Sequence, residues 1–309
     1  MTGVLRVQTD MGTGTRRRLG GYRLLAEIGR GSTAVVHLAL DPRGREVAVK
    51  ALRPELAGEP EAISRLAREM SAQARVRSEY VARLLDGTVG AGAGPAPATD
   101  AAAGEARPLV TAPDVVPHVV MQYVPGCPLY DLVPAYGPLR PDRLARFARR
   151  LALALGDVHD AGVLHRDVSP GNVIVMGDRP TLIDFGIAHE AGAVQITRRG
   201  MVVGTPAYLA PELIEGERAT TASDVFSWAA TVAYAATGRP PFGRGSLHGV
   251  CFRILRGRAD LDGVPEPLAG LLRLAFRRDP SRRPPARWFA GALADGDRAA
   301  AGRDAAAAA

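Results

Sequence analysis

The sequence predicts an α+β protein in which a small antiparallel sheet with one main helix is followed by a larger, mostly helical part. β-type runs at 22–28, 34–40 and 46–52 are separated by glycine-containing turns, which is the pattern of an antiparallel meander. Beyond Pro125 the apolar residues recur at helical spacing instead. With 309 residues, the chain is long enough for one large domain or for two lobes that each bury a sizeable core.

The main helix of the first part is predicted from "PEAISRLAREMSAQARV", in which Ile63, Leu66, Met70 and Ala74 share one face. The stretch "HVVMQYV" then resumes the sheet. In the second part, "RPDRLARFARRLALALGDVHDAG" predicts a long amphipathic helix, and "SDVFSWAATVAYAATG" predicts a helix that is buried nearly all round.

The chain is predicted to divide into four parts. Residues 1–19 are polar, basic and glycine-rich, which indicates a flexible tail, and residues 20–122 form the first lobe. Within that lobe, 87–114 consist largely of Ala, Gly, Pro and Thr without an apolar period, which indicates a mobile insertion between two strands. Residues 123–295 form the second lobe, and the alanine-rich residues 296–309 form a disordered tail.

Composition excludes several classes of function. The formal net charge is +7, but the arginines are scattered and no aromatic-interleaved module accompanies them, so no nucleic-acid partner is predicted. The two cysteines lie far apart and without histidine or cysteine at metal-ligand spacing, which argues against a disulfide and against a zinc site. The longest apolar run, at 225–236, is too short to span a bilayer, so a cytoplasmic protein without a membrane partner is predicted.

Two glycines, Gly29 and Gly31, lie between the first two predicted strands. The absence of Cβ atoms would let backbone amides approach phosphate oxygens, although a simple hairpin turn explains the same residues. Because the glycines precede a strand and not a helix, a dinucleotide-binding site of the Rossmann type is disfavoured.

Lys50 is the single lysine among 39 basic residues, so the other 38 are arginines. It lies in the predicted strand at 46–52, and Glu69 follows 19 residues later in the middle of the predicted helix. A lysine and a carboxylate that meet in this way form an ion pair that can hold ATP phosphates. A compact ammonium suits that task better than the broad guanidinium fork, which explains why arginine does not replace this lysine.

Three further residues suit phosphoryl transfer. Asp167 and Asn172 lie five residues apart in "HRDVSPGNVIV", and Asp184 follows in "LIDFGIA". An aspartate can accept the proton of a hydroxyl group, and an asparagine and a second aspartate can offer oxygen atoms to Mg²⁺. These are the parts that phosphoryl transfer requires.

The motifs "VAVK", "HRDVSPGN", "DFG", "GTPAYLAPE" and "DPSRRP", in this order, resemble those of bacterial eukaryotic-like Ser/Thr protein kinases. The resemblance covers roughly residues 20–292. It implies a bilobal protein kinase fold and transfer of the ATP γ-phosphate to Ser/Thr hydroxyls of proteins, including autophosphorylation, with Mg²⁺ or Mn²⁺ as metal. The implied partners are ATP, protein substrates and a transient homodimer for autophosphorylation.

The same resemblance assigns roles to individual residues. Lys50 and Glu69 would clamp the phosphates, Asp167 would be the catalytic base, and Asn172 and Asp184 would bind the metal. ATP binding would involve the following positions: Gly29, Gly31, Val36, Ala48, Lys50, Met121 as gatekeeper, Gln122 to Val124 as hinge, Ile174 and Asp184. The resemblance also implies that Glu212 pairs with Arg283, and that Asp224 anchors the catalytic loop.

The chain departs from the family pattern at two positions. Ala34 replaces the third glycine of the phosphate loop, and Ser169 stands where Ser/Thr kinases usually carry a lysine that contacts the transferred phosphate. Ser169 favours an alternative, a pseudokinase that binds partners with little turnover. A kinase-like small-molecule phosphotransferase is a further alternative, but it would not be expected to carry "GTPAYLAPE". Thr197 is predicted as the activating autophosphorylation site.

Overall fold

A computed structural model of the chain describes residues 18–89, 116–186 and 206–294. Thr197 lies outside the described residues, as do most of the predicted tails and most of the predicted insertion. The chain divides into two compact units, of which the first comprises Met1–Arg75 and Ala82–Val124, and the second Val76–Val81 and Pro125–Ala309. None of the described helices is both long enough and apolar enough to cross a membrane.

The first unit is built on a six-stranded antiparallel sheet in the order β1-β2-β3-β4-β6-β5. The predicted meander at 22–52 is present, and the strands have the following bounds: β1 Arg18–Leu19, β2 Tyr22–Arg30, β3 Ala34–Leu40, β4 Glu46–Leu52, β5 Leu84–Thr88 and β6 His118–Gln122.

Two segments that the sequence assigned to flexible regions belong to this sheet. Residues 18 and 19 pair with β2, although they were placed in the tail at 1–19. Gly87 pairs with Val119, and Val89 is fully buried, although 87–89 were placed in the insertion at 87–114. Composition alone did not identify these residues as structured, because pairing and packing with distant residues hold them in place.

Helix α1, Pro60–Arg75, packs on one face of the sheet. Leu66 and Met70 are buried as predicted, but Ala74 is exposed and Gln73 is buried in its place. The Gln73 side-chain nitrogen Nε2 donates a hydrogen bond to the Ala82 carbonyl at 2.9 Å. This bond lowers the cost of burying an amide and explains how a polar residue can lie on the apolar face.

The second unit is mainly helical and also contains a small sheet that the sequence did not predict. The sheet is antiparallel in the order β7-β8-β9, with β7 at Cys127–Pro128, β8 at Val173–Met176 and β9 at Arg179–Leu182. The helices have the following bounds: α2 Leu129–Tyr136, α3 Pro141–Asp160, α4 Pro211–Ile214, α5 Thr221–Thr237, α6 Leu247–Leu255 and α7 Leu268–Ala275. Residues 286–294 are also helical.

Helix α5 lies at the centre of the second unit. All its residues from Ser223 to Ala235 are buried, as the uninterrupted apolar stretch predicted. The indole Nε1 of Trp228 donates to the Ala148 carbonyl on α3 at 3.1 Å, so its polar atom is satisfied within the core. A rigid central helix of this kind can hold the surrounding loops in place.

The segment 76–81 belongs to the second unit although it follows α1. The Leu182 amide donates to the Tyr80 carbonyl at 2.8 Å, and Arg179 forms an ion pair with Glu79 at 3.1 Å. These contacts fix the segment against β9. The boundary predicted between residues 122 and 123 did not include residues 76–81 in the second unit.

Candidate active site

Lys50 and Glu69 form an ion pair in the first unit, with 2.6 Å between Lys50 Nζ and Glu69 Oε1. Alternation along β4 directs Lys50 to the same face as Ala48 and Leu52, which pack against α1. The two side chains are only 15% and 13% exposed. The pair is therefore a partly desolvated one, in which a charge-assisted bond is stronger than at an open surface.

Gly29 and Gly31 lie at the end of β2 and in the turn that follows. Gly29 pairs with Val36, and the Gly31 amide donates to the Ala34 carbonyl at 2.9 Å. Neither glycine has a positive φ, and an added Cβ would meet nothing closer than 3.6 Å. The hairpin itself therefore does not require glycine at these two positions.

The residues predicted to contact adenine are divided between the two units. In the first unit, Ala48 and Met121 are buried and lie opposite each other in β4 and β6. Val36 and Val124 are half-buried, and Gln122 is exposed. In the second unit, Ile174 is half-buried on β8.

Gly126 contacts the strand that carries Ile174, and sequence reasoning missed this residue. Its φ is 146°, and an added Cβ would lie 2.7 Å from the Val175 carbonyl oxygen and 2.8 Å from Ile174 Cγ2. Both the backbone conformation and the lack of space thus require glycine. Its place two residues after the predicted hinge was the signal in the sequence.

Asp167 and Asn172 are joined by hydrogen bonds in the second unit. Asn172 Nδ2 donates to Asp167 Oδ2 at 2.7 Å and to the Asp167 carbonyl at 2.9 Å. The bonds orient the Asp167 carboxylate and leave the oxygen of the Asn172 amide as the atom that can bind a cation. Ser169, between them, is only 6% exposed.

Asp224 anchors the loop that precedes Asp167, as the resemblance implied. Its carboxylate accepts hydrogen bonds from the amides of His165 at 2.9 Å and Arg166 at 2.8 Å, and Arg166 has a φ of 66°. His159 Nε2 lies 2.9 Å from the same carboxylate and was not identified from the sequence. Burial raises the pKa of Asp224, but the hydrogen bonds from His159 and His165 outweigh it and hold that pKa below its ordinary value.

His165 links the Asp167 loop to the segment that carries Asp184. Its Nε2 is 3.1 Å from the Ile183 carbonyl, and its Nδ1 accepts from the Asp167 amide at 3.4 Å, which requires the neutral tautomer with hydrogen on Nε2. Complete burial lowers the pKa of His165 and favours this neutral form. The Gly186 amide donates to the His165 carbonyl at 2.8 Å.

The space around Gly186 explains the glycine after Asp184 and Phe185. A Cβ on Gly186 would lie 2.6 Å from Asp167 Cβ, so the two segments touch at this point. Asp184 itself adopts a φ of 53°, which is uncommon for a residue with a side chain. Strained backbone at a residue of this kind is typical of functional sites.

The donor atoms in the second unit fit a divalent metal ion. The Asn172 amide oxygen and the Asp184 carboxylate are hard oxygen ligands, of the kind that Mg²⁺ and Mn²⁺ prefer. The described residues contain no cluster of three or more His, Cys, Asp or Glu that could hold a metal ion on its own. A site with few protein ligands is usual where substrate phosphates and water complete the coordination of Mg²⁺.

The family model described as protein kinase domain matches residues 22–289 of this chain. A crystal structure of Rad53 1–466 in complex with AMP-PNP has a TM-score of 0.66 and 22% identity, covering 87% of this chain and 64% of that one. The chain thus has the protein kinase fold, and it belongs to the protein kinase family.

Among curated relatives, the chain is similar to bacterial serine/threonine-protein kinases. AfsK of Streptomyces coelicolor is 35% identical over 269 residues, which are 87% of this chain and 31% of AfsK. The probable kinase PkwA of Thermomonospora curvata is 34% identical, over 86% of this chain and 33% of PkwA. The predicted resemblance to bacterial eukaryotic-like Ser/Thr kinases is confirmed, and the chain spans about a third of the length of these two relatives.

Proposed function

We propose that this chain transfers the γ-phosphate of ATP to serine and threonine hydroxyls of proteins, including its own. The observation that carries the proposal is the partly buried ion pair between Lys50 and Glu69, at 2.6 Å. It uses the single lysine of the chain, and an ion pair at this place is what a phosphate clamp in a protein kinase requires. Membership of the protein kinase family supports the same reaction.

In this mechanism the residues of the first unit bind the nucleotide. The Lys50 ammonium binds the α- and β-phosphates while Glu69 holds it in position. The backbone at Gly29 and Gly31 covers the phosphates. The side chains of Val36 and Ala48 contact the adenine ring, with Met121 as gatekeeper and the backbone of 122–124 as hinge. These residues position ATP, and positioning supplies much of the rate in phosphoryl transfer.

In the second unit, Asp167 accepts the proton of the attacking hydroxyl, and the Asn172 amide nitrogen keeps its carboxylate in place. The Asn172 amide oxygen and Asp184 would hold Mg²⁺ or Mn²⁺. A metal ion held by these two residues would neutralise charge that develops on the transferred phosphoryl group. We also propose that the protein is cytoplasmic and that it forms a transient homodimer when it phosphorylates itself.

Incubation of the purified chain with radiolabelled ATP tests the proposal, with Mg²⁺ or Mn²⁺ and both a basic and an acidic acceptor protein. Label on serine or threonine of an acceptor or of the chain is expected, and Asp167→Asn should remove it. Nucleotide binding without any label would instead indicate the pseudokinase that Ser169 favours. Label on a small molecule but on no protein would indicate the small-molecule phosphotransferase.

A further inference from the structure

A cavity of about 580 Å³ lies on the second unit, between helix α7 and the loop that joins α6 to α7. Its volume falls within the range of about 300 to 1,000 Å³ that is typical of ligand sites. The apolar part of its lining consists of Ala259, Leu261, Val264, Ala269 and Phe276. Val264 and Phe276 are each 8% exposed and Ala269 is 2% exposed, so these three residues form the floor. None of the residues assigned to phosphoryl transfer lines this cavity.

The loop that forms one wall of the cavity is held in place by hydrogen bonds. The Asp260 amide donates to the Pro241 carbonyl at 2.7 Å, and the Asp262 amide donates to Asp260 Oδ1 at 3.0 Å. Arg239, just after α5, donates from Nη2 to the Asp262 carbonyl at 3.1 Å and pairs with Asp260 at 3.4 Å. Because the wall is fixed before a ligand arrives, binding costs little ordering of the chain.

Three charged residues, Asp262, Glu266 and Arg273, complete the lining. Glu266 accepts hydrogen bonds from Arg273 Nη1 at 2.8 Å and from the Gly270 amide at 3.1 Å, so the charges of Glu266 and Arg273 compensate each other. The side-chain carboxylate of Asp262 accepts no hydrogen bond and forms no ion pair within the described part of the chain. The lining therefore keeps one uncompensated negative charge, at Asp262.

The arrangement of these residues defines what the cavity can bind. Asp262, Glu266 and Arg273 are exposed and lie at the mouth, whereas the apolar residues of the floor are buried. A ligand that fits has apolar groups that reach the floor and a cation that remains at the mouth beside Asp262. The volume is larger than one side chain requires, and the mouth is open to solvent, so several residues of an extended peptide can be accommodated.

We propose that this cavity is a docking site for a segment of a partner protein that carries a basic side chain next to apolar ones. The apolar side chains are removed from water against Val264 and Phe276, which favours binding in proportion to the area buried. The basic side chain forms a charge-assisted hydrogen bond with Asp262. An acidic segment would meet a like charge at the same place. The site goes beyond the proposed kinase function, because it takes no part in phosphoryl transfer.

The test measures binding of two short probe peptides, acetyl-Arg-Leu-Leu-amide and acetyl-Leu-Leu-Arg-amide, to the isotope-labelled full chain by nuclear magnetic resonance. At least one of them should shift amide signals at 257–276 in a saturable way. Its dissociation constant should be about twofold to fivefold lower than that of the counterpart with glutamine in place of arginine, as an exposed ion pair allows. The difference should shrink as salt is raised. A counterpart with serine in place of both leucines should not bind.

Two variants separate the charge at the mouth from the apolar floor. Asp262→Asn should weaken the arginine peptide to the level of the glutamine peptide and leave the glutamine peptide unchanged. Ala259→Phe fills part of the cavity and should weaken both peptides alike. Glu217→Gln is the matched control for Asp262→Asn, because Glu217 is also an exposed carboxylate but does not line the cavity, and it should keep the preference for arginine. Circular dichroism checks that each variant is folded.

Several results would overturn the inference. These are the absence of saturable shifts at 257–276, equal binding of the arginine and glutamine peptides, stronger binding of a glutamate counterpart, or an equal loss of preference in Glu217→Gln. Shifts at 257–276 that appear on raising the protein concentration alone would show that a second copy of the chain occupies the cavity instead. Each of these results leaves the kinase function standing, because the measurement depends on binding and not on transfer.

Discussion

At the scale of single residues, Lys50 carries the strongest prediction. Lys50→Met should lower phosphoryl transfer at least about a hundredfold, because it removes the ammonium at the phosphates and leaves Glu69 without its partner at 2.6 Å. Lys50→Arg should fail nearly as badly, since a planar fork does not reproduce a compact charge. Initial rates with radiolabelled ATP measure the effect, and circular dichroism checks that the fold is intact.

Arg45→Met is a suitable control for this lysine. It also removes a cation, but one that lies in the turn between β3 and β4, is exposed and pairs with Asp41. Its rate should be unchanged. An arginine variant of Lys50 that keeps most of the activity would contradict the explanation for the single lysine of the chain.

Ser169 is the second residue whose identity has a measurable consequence. A charged hydrogen bond to phosphate is worth roughly 1.5 to 3 kcal/mol, which corresponds to about one to two powers of ten in rate. Ser169→Lys should therefore raise kcat, whereas Ser169→Ala, which changes no charge, should leave it unchanged. A lysine variant with an unaltered rate would show that another group already supplies the charge.

At the scale of structural elements, the close contact between Gly126 and β8 predicts a combined effect on stability and on ATP binding. Gly126→Ala places a Cβ 2.7 Å from the Val175 carbonyl oxygen and 2.8 Å from Ile174. The strand has to move, so we expect a loss of about 1 to 3 kcal/mol in the free energy of unfolding. The KM for ATP should rise severalfold, because Ile174 is displaced.

Gly177→Ala separates the cost of an unfavourable backbone conformation from the cost of a steric clash. Gly177 has a φ of 67°, but an added Cβ would meet nothing within 4 Å. This variant should lose only the energy of the unfavourable backbone, about 1 kcal/mol, and keep its KM for ATP. Chemical denaturation and steady-state kinetics measure both quantities, and equal results for the two variants would refute a steric role for Gly126.

At the scale of the whole molecule, Glu212 and Arg283 join residues that lie 71 positions apart in the second unit. Arg283 donates to both carboxylate oxygens, at 2.7 and 2.8 Å, and the two side chains are 3% exposed or less. Removal of one partner leaves a buried charge alone, so Arg283→Ala should lower the free energy of unfolding by about 3 to 5 kcal/mol. Arg273→Ala, at an exposed pair with Glu266, should change it little.

The same ion pair predicts a dependence of stability on pH. Burial raises the pKa of Glu212, but the hydrogen bonds from Arg283 and Ser223 outweigh it and hold that pKa below its ordinary value. A lowered pKa in the folded state stabilises the fold above the unfolded pKa of about 4.3, and this contribution is lost as the pH falls through the folded value. Glu212→Gln should be less stable at pH 7 and lose less stability on acidification. Urea denaturation at several pH values measures this, and parallel curves for both proteins would contradict it.

Much of the fold follows from local patterns in the sequence. The meander at 22–52, helix α1 and the buried α5 were predicted because hydrophobic periodicity and turn residues act over a few positions. The order of the motifs also indicated the family. The resemblance to protein kinases implied the roles of Lys50, Asp167 and Asp184, and these roles remain predictions for experiment.

The tertiary structure determined those features that depend on contacts between residues far apart in the sequence. It buried Gln73 in place of Ala74 and formed the sheet β7-β8-β9 from strands of two and four residues, which are too short to carry a periodic signal. Sequence periodicity reports which side of an element is apolar, whereas the partner of a strand, an amide or a charge depends on contacts that close only when the chain folds.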